Sequence, residues 1–247
     1  TIISKTFFIA TLSILLYSCS NSKMVDYHNS KISLDWAGVY KGTIPAASSP
    51  GIDLTIIIED SSYIAYSSYI DRGDSIYSTN GKIEWDQNGS IITLQDKDDF
   101  LYKVKVIENR IQILDREGNA IDGALHDYYI LNKVDSMLFS NNLSIIRVGE
   151  IEIPNESLVK DPFIYFDIKR GMFSGTSGCN NFFGRYKTGY NGELKLDNIA
   201  STKMFCNNMH IEDSLFSTMT KIERFFTNND TLKFLGSQNE VLFEAIV

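Results

Sequence analysis

Between Trp36 and Lys133 the chain repeats one local pattern about eight times: a short run of alternating apolar and polar residues, then a turn signal. Period two puts alternate side chains on opposite faces of a strand. Phe100, Tyr102, Val104 and Val106 fall on one face, and Lys103 and Lys105 on the other. Asn88-Gly89, Glu108-Asn109 and Glu117-Gly118 punctuate the runs, and Asn80-Gly81 predicts a further hairpin inside 75–85. Short, evenly spaced strands with almost no helical periodicity predict a small antiparallel barrel or sandwich over 32–135.

The pattern then loosens. Residues 134–160 include Pro154-Asn155, and the spacing places a boundary near residue 135, with first strands of a second domain within 138–153. From Phe163 it resumes. Residues 163–168 and 172–175 read as a hairpin, and 181–186, 192–196, 231–235 and 241–246 as further strands. One helix is predicted, from His210 to Phe226, because Ile211, Leu215, Met219, Ile222 and Phe226 advance as one apolar stripe. Asn207 or Asn208 would cap it, and Glu212 and Asp213 suit its positive N-terminal end. The second domain, 136–247, therefore reads as α+β, one helix on an antiparallel sheet.

The net charge of -8 argues against a nucleic-acid partner, which requires a basic stripe. Abundant aromatics and only four prolines favour a packed core over disorder. At the N-terminal end, Lys5 precedes an apolar stretch from Phe7 to Leu16 that is too short to span a bilayer. A basic start, a short apolar core and a small residue before the cut form the layout of a secretory signal peptide, here residues 1–18. Leu16-Tyr17-Ser18-Cys19 resembles the bacterial lipobox, which implies that Cys19 becomes the lipidated first residue of the mature chain. Residues 19–31 then read as a polar tether. Ser20, rather than Asp, after the cysteine implies the outer membrane by the sorting rule of such lipoproteins.

Of three cysteines, Cys179 and Cys206 remain. In an oxidising compartment an even pair reads first as a disulfide. Two buried free thiols, or a functional thiol or metal pair, are the alternatives.

Trp36-Ala-Gly-Val-Tyr-Lys-Gly-Thr-Ile-Pro45, with Gly51-Ile-Asp-Leu-Thr-Ile56 and Gly81-Lys-Ile-Glu-Trp85 in order after it, resembles the N-terminal domain of the NlpE copper-resistance lipoproteins. The resemblance covers about 32–134 and implies a lipocalin-like barrel. Where that family carries Cys-x-x-Cys, this chain reads Ala46-Ala47-Ser48-Ser49, so thiolate chemistry has no ligand there. Ser174-Gly-Thr-Ser-Gly-Cys-Asn-Asn-Phe-Phe-Gly-Arg-Tyr186, followed by Thr202-Lys-Met-Phe-Cys206, resembles the META domain of HslJ-like proteins over about 138–247. That implies a role in envelope stress or resistance without an established reaction.

Met204, Cys206, Met209 and His210 bring together thioether, thiolate and imidazole, the ligands that soft Cu(I) prefers. Against this copper reading, Met204 belongs to the META pattern, where it reads as core packing. Gly178, Asn180 and Gly184 read as turn chemistry, with Thr202 placed to bond that turn. Hydrolase motifs are missing: Gly175-Thr-Ser-Gly178 is not a nucleophile elbow, and no His-Glu-x-x-His occurs. His28, His126 and His210 are isolated, and Asp96, Asp98 and Asp99 lack the spacing of a calcium loop. The sequence thus describes a non-enzymatic, lipid-anchored envelope protein working through an envelope protein partner. A barrel carrying a small apolar ligand and a Cu(I) protein are its rivals.

Overall fold

The computed structural model describes residues 29–73, 75–96, 100–154 and 158–247. Residues 1–18, Cys19, His28, Asp98, Asp99 and Asn155 lie outside them.

Eight strands close into an antiparallel barrel: β1 (Gly38–Ile44), β2 (Ile52–Ile58), β3 (Ser62–Tyr69), β4 (Tyr77–Trp85), β5 (Ile91–Gln95), β6 (Phe100–Ile107), β7 (Arg110–Leu114) and β8 (Ile130–Val134). β8 returns to β1 with Val134 opposite Val39, so no edge is left open. Alternate residues point inward and pack on one another. Tyr40, Ile56, Tyr63, Ile92, Val104 and Ile111 are buried in one cluster that fills the barrel.

One barrel mouth is plugged. A single helical turn, α1 (Ser30–Ser33), is capped by Asn29, whose side chain accepts from Ile32 N–H. Lys31 N–H donates to the Gly89 carbonyl, and Ser30 Oγ to that of Val106. Trp36 meets Trp85 edge-on beneath it, with ring centroids 5.1 Å apart. Residues 29–31 are therefore part of the fold rather than of an irregular tether, because these contacts hold them against the barrel.

Asn80-Gly81 is not a turn. β4 runs through it without interruption, and Gly81 pairs with Tyr63 on β3. A Cβ at Gly81 would stand 1.7 Å from the Gln95 carbonyl oxygen, so the glycine serves a close strand approach. Asn109 and Gly118, by contrast, take the positive φ of turn residues where the sequence predicts turns.

The second sheet is built from β9 (Leu143–Val148), β10 (Ile151–Glu152), β11 (Phe163–Asp167), β12 (Met172–Thr176), β13 (Asn181–Thr188), β14 (Leu194–Ser201), β15 (Arg224–Asn228), β16 (Thr231–Leu235) and β17 (Val241–Ile246). Its order is β14-β13-β12-β11-β9-β17-β16-β15, with β10 beside β9. The sheet curls until its outer strands touch: Glu193 bridges Arg224, and Leu194 N–H donates to the Glu223 carbonyl at 2.9 Å. Helix α2 (Met209–Met219) packs into the curl. Leu215 and Met219 join a core rich in phenylalanine, where the Phe234 and Phe243 rings stack at 4.1 Å. Val134, the last residue of β8, is buried in this core too.

The helix is shorter than its apolar stripe. It ends at Met219, and Phe226 lies on β15 with its side chain exposed. Arg224 to Asn228 pairs with β16 instead, where Phe225 faces Phe234. The sheet supplies backbone partners and ring packing that a longer helix would forgo.

Candidate functional site

The META-like signature builds one compact corner. The turn between β12 and β13 carries Ser177, Gly178, Cys179 and Asn180. Gly178 has φ of +98°, which admits glycine without strain. Asn180 is wholly buried, and every polar atom of its side chain is engaged. Its Nδ2 donates to Glu212 Oε1 at 2.8 Å and to the Met204 carbonyl at 2.9 Å. Its Oδ1 accepts from Thr202 Oγ1 at 2.7 Å and Met204 N–H at 2.6 Å. The second Glu212 oxygen accepts from the Asn180 N–H at 3.1 Å and from the Ser177 hydroxyl. Glu212 stands in the first turn of α2, where the helix dipole favours a carboxylate. A buried carboxylate surrounded by donors is a structural clasp, and the oxygens of Ser177 and Glu212 are engaged within it.

Cys179 and Cys206 are joined as a disulfide with Cα atoms 6.1 Å apart. In this form Cys206 offers no thiolate to a soft metal. Met209 is half-buried and His210 is exposed. Met204 is 48% exposed rather than core-packed, because Asn180 engages both its N–H and its carbonyl and turns its side chain outward. The next residue, Phe205, is 90% exposed. Phe205 borders a recess of about 260 Å³ shared with Leu158, Val159 and the disulfide. Asn208 is the N-cap residue of α2 but makes no side-chain capping bond. Gly184 has a different reason from Gly178: a Cβ there would sit 2.6 Å from the Phe173 ring. Ala46 to Ser49 lie on the loop between β1 and β2, where the Ser48 carbonyl accepts from Arg72 at 2.6 Å. His126 bonds Gln112 and Asp127 at the barrel rim.

A second site lies between the barrel and the sheet. Lys41 on β1 donates to Thr55 Oγ1 at 2.6 Å and, across the interface, to the Ile168 carbonyl at 3.2 Å. Its ammonium stands 5.5 Å from the centre of the Tyr186 ring. Burial pulls the Lys41 pKa down to about 8, with Asp53 and Asp167 opposing that fall. Burial would likewise raise Asp167, but hydrogen bonds from Arg170 and Lys169 outweigh it and hold the carboxyl below its usual range. Lys169 lies over Tyr66 of the barrel, and Arg110 of the barrel over Tyr190. Cations thus cross the interface in both directions. No local spacing signals this cluster, since its members come from β1, β2, β11, the β11–β12 turn and β13.

The architecture defines a class: a closed eight-stranded antiparallel barrel followed by a curled antiparallel sheet holding one helix. Residues 40–124 match the NlpE N-terminal domain family, and residues 146–245 match the META domain family. The chain carries an NlpE-type N-terminal domain followed by a META domain. Among solved structures, a candidate lipoprotein from Shewanella oneidensis is 44% identical, covering 43% of this chain and 95% of its own, with a TM-score of 0.40. The Cpx pathway activator NlpE from Escherichia coli is 15% identical, covering 69% of this chain and 96% of its own, with a TM-score of 0.32. No curated protein sequence matches the chain.

Proposed function

We propose that this is a lipid-anchored cell-envelope protein that acts without catalysis, through contact with a protein partner, in envelope stress response or resistance. The pairing of an NlpE-type domain with a META domain supports the envelope role. The lipobox-like Leu16-Tyr17-Ser18-Cys19 supports the anchor, and Ser20 the outer membrane. One observation carries the contact reading: Phe205 stands almost fully exposed on a loop pinned by the disulfide and by Asn180. Holding a large aromatic outward on a rigid loop lowers the ordering cost of a later contact. The carrier reading has less support, because the barrel interior is occupied by its own side chains.

The test has two parts. Intact mass of the mature protein should give an N-terminus at Cys19 with acyl chains, lost in Cys19→Ser. In cells carrying an envelope-stress reporter, Phe205→Ser should abolish the response while leaving the amount and anchoring of the protein unchanged. A wild-type response from Phe205→Ser would sink the contact reading.

A further inference from the structure

The interface between barrel and sheet encloses two connected spaces. The inner one, about 120 Å³, is walled by Lys41, Lys169, Arg170 and Lys187, with Asp53 facing them. Four cations on so small a recess are unexpected in a chain whose net charge is -8. Arg170 is paired with Asp167 at 2.9 Å, and Asp53 accepts from Thr43 Oγ1 at 2.7 Å. Among the described residues Lys41 makes no ion pair within contact distance; its ammonium is held by a hydroxyl, a carbonyl and a ring. Asp53 and Asp167 act on this ammonium only at longer range and are engaged by Thr43 and Arg170, so its charge is incompletely balanced, an arrangement that an incoming anion relieves.

The outer space, about 420 Å³, shares Asp53, Arg170, Tyr186 and Lys187 with the recess and opens between the β3–β4 hairpin and β12 to β14. Its wall has a different chemistry. Tyr69 is met edge-on by Tyr77 at 6.1 Å and lies under the Arg72 guanidinium, so its ring is set in place. Around it stand Asp71, Asp197 and Asn198, with Met172 as an apolar patch. Planar carboxylate and amide groups beside an aromatic ring suit a body with many hydroxyls and C–H faces. The volume lies in the range of small-molecule sites, which favour domain interfaces.

We propose that this interdomain cleft binds a small acidic saccharide, its carboxylate or phosphate in the Lys41 recess and its sugar body along Tyr69. The proposal is independent of the lipid anchor and of the Phe205 contact. The lowered pKa of Lys41 agrees with it: an anion beside the ammonium restores the proton, so binding near pH 8 takes up protons from solution. Asp53 on β2, Asp167 on β11, and Lys169, Arg170, Tyr186 and Lys187 from the sheet domain are the other titratable groups facing that ammonium.

The experiment is calorimetric titration of the full chain with glucuronate, glucose 6-phosphate, glucose and inorganic phosphate, in two buffers of different ionisation enthalpy at pH 8. Glucuronate or glucose 6-phosphate should bind at least tenfold more tightly than both glucose and inorganic phosphate. Lys187→Ala, an exposed position, should weaken that binding roughly tenfold, as expected for one charge-assisted hydrogen bond. Tyr69→Ala should weaken it while leaving inorganic phosphate unaffected. Failure of both acidic sugars to bind overturns the proposal, as does binding insensitive to Lys187→Ala. Inorganic phosphate binding as tightly as the sugars overturns the saccharide body, and glucose binding as tightly overturns the anion recess.

Discussion

Asn180 Nδ2 donates to Glu212 Oε1 at 2.8 Å, joining the β12–β13 turn to the first turn of α2 across 32 residues of chain. Both side chains are buried, so the bond works in a medium where an unmatched partner is costly. Asn180→Ala removes the bonds donated to Glu212, Met204 and the Cys179 sulfur and two accepted ones, and leaves the Glu212 carboxylate short of a donor. The expected loss is about 3 kcal/mol. Asn180→Asp should cost more, because it sets a second carboxylate against the first. Trp36 and Trp85 both lie in the barrel, so urea unfolding followed by circular dichroism and by tryptophan fluorescence distinguishes the two domains. The dichroism transition should fall first.

The disulfide closes a loop between positions 27 residues apart. In the chain-entropy description such a crosslink stabilises by about 3–4 kcal/mol. Replacing both Cys179 and Cys206 by serine should lower the unfolding free energy of the META domain by that amount, seen as a lower urea midpoint. Alkylation and intact mass without reductant should find neither residue modified in the native protein. Two readily alkylated thiols would instead restore Cys206 as a ligand and bring the set Met204, Cys206, Met209 and His210 back for Cu(I) titration.

Lys41 imposes a pH dependence whose sign follows from its lowered pKa. Folded, it loses its proton near pH 8; unfolded, it holds it until about 10.5. Between those values the unfolded chain binds more protons, so stability rises with pH. The gain from pH 7 to 9.5 is on the order of 2 kcal/mol. Burial raises Tyr63 to about 12 and pushes Tyr186 well above its ordinary value. Above pH 10 these tyrosines ionise more readily in the unfolded chain, and stability falls again. Thermal unfolding from pH 7 to 10.5 should therefore show a maximum on the alkaline side. Lys41→Met should remove the rise and keep the fall.

Gly81→Ala should be among the most damaging single changes in the barrel. The added methyl group would stand 1.7 Å from the Gln95 oxygen and 2.9 Å from its carbonyl carbon. Strands β4 and β5 must separate to admit it, at a cost of about 3 kcal/mol. The fluorescence transition of Trp85, at the end of the same strand, should shift to lower urea.

Much of the architecture is legible because it is local. Alternation marks the barrel strands, and Asn109 and Gly118 mark their turns with residues that tolerate positive φ. The elements that escape are those where a distant group decides. Asn80-Gly81 carries the composition of a turn, yet the Gln95 carbonyl requires glycine at that crossing. Phe226 continues a helical spacing, yet pairing with β16 draws it into a strand. Met204 looks like a core residue until Asn180 engages its backbone. Glu212 reads as a helix-dipole residue, while its buried role depends on a turn from another part of the chain. The Lys41 cluster has no local signature at all.

β17 lies between β9 and β16, in the middle of its sheet, although it is the last strand in chain order. β11 to β14 form a meander that can assemble as the chain emerges, and β15 to β17 form another. Apart from the Glu193–Arg224 bridge at the outer strands, the two halves join where β17 pairs with β9. The barrel, spanned by residues 38–134, can close while the rest of the chain is still being synthesised. The META sheet must wait for residues 241–246, and until they arrive β9 presents an unpaired edge to any neighbouring strand. The order of synthesis thus leaves the second domain exposed longest, at the step where a chaperone or a misplaced strand can reach it.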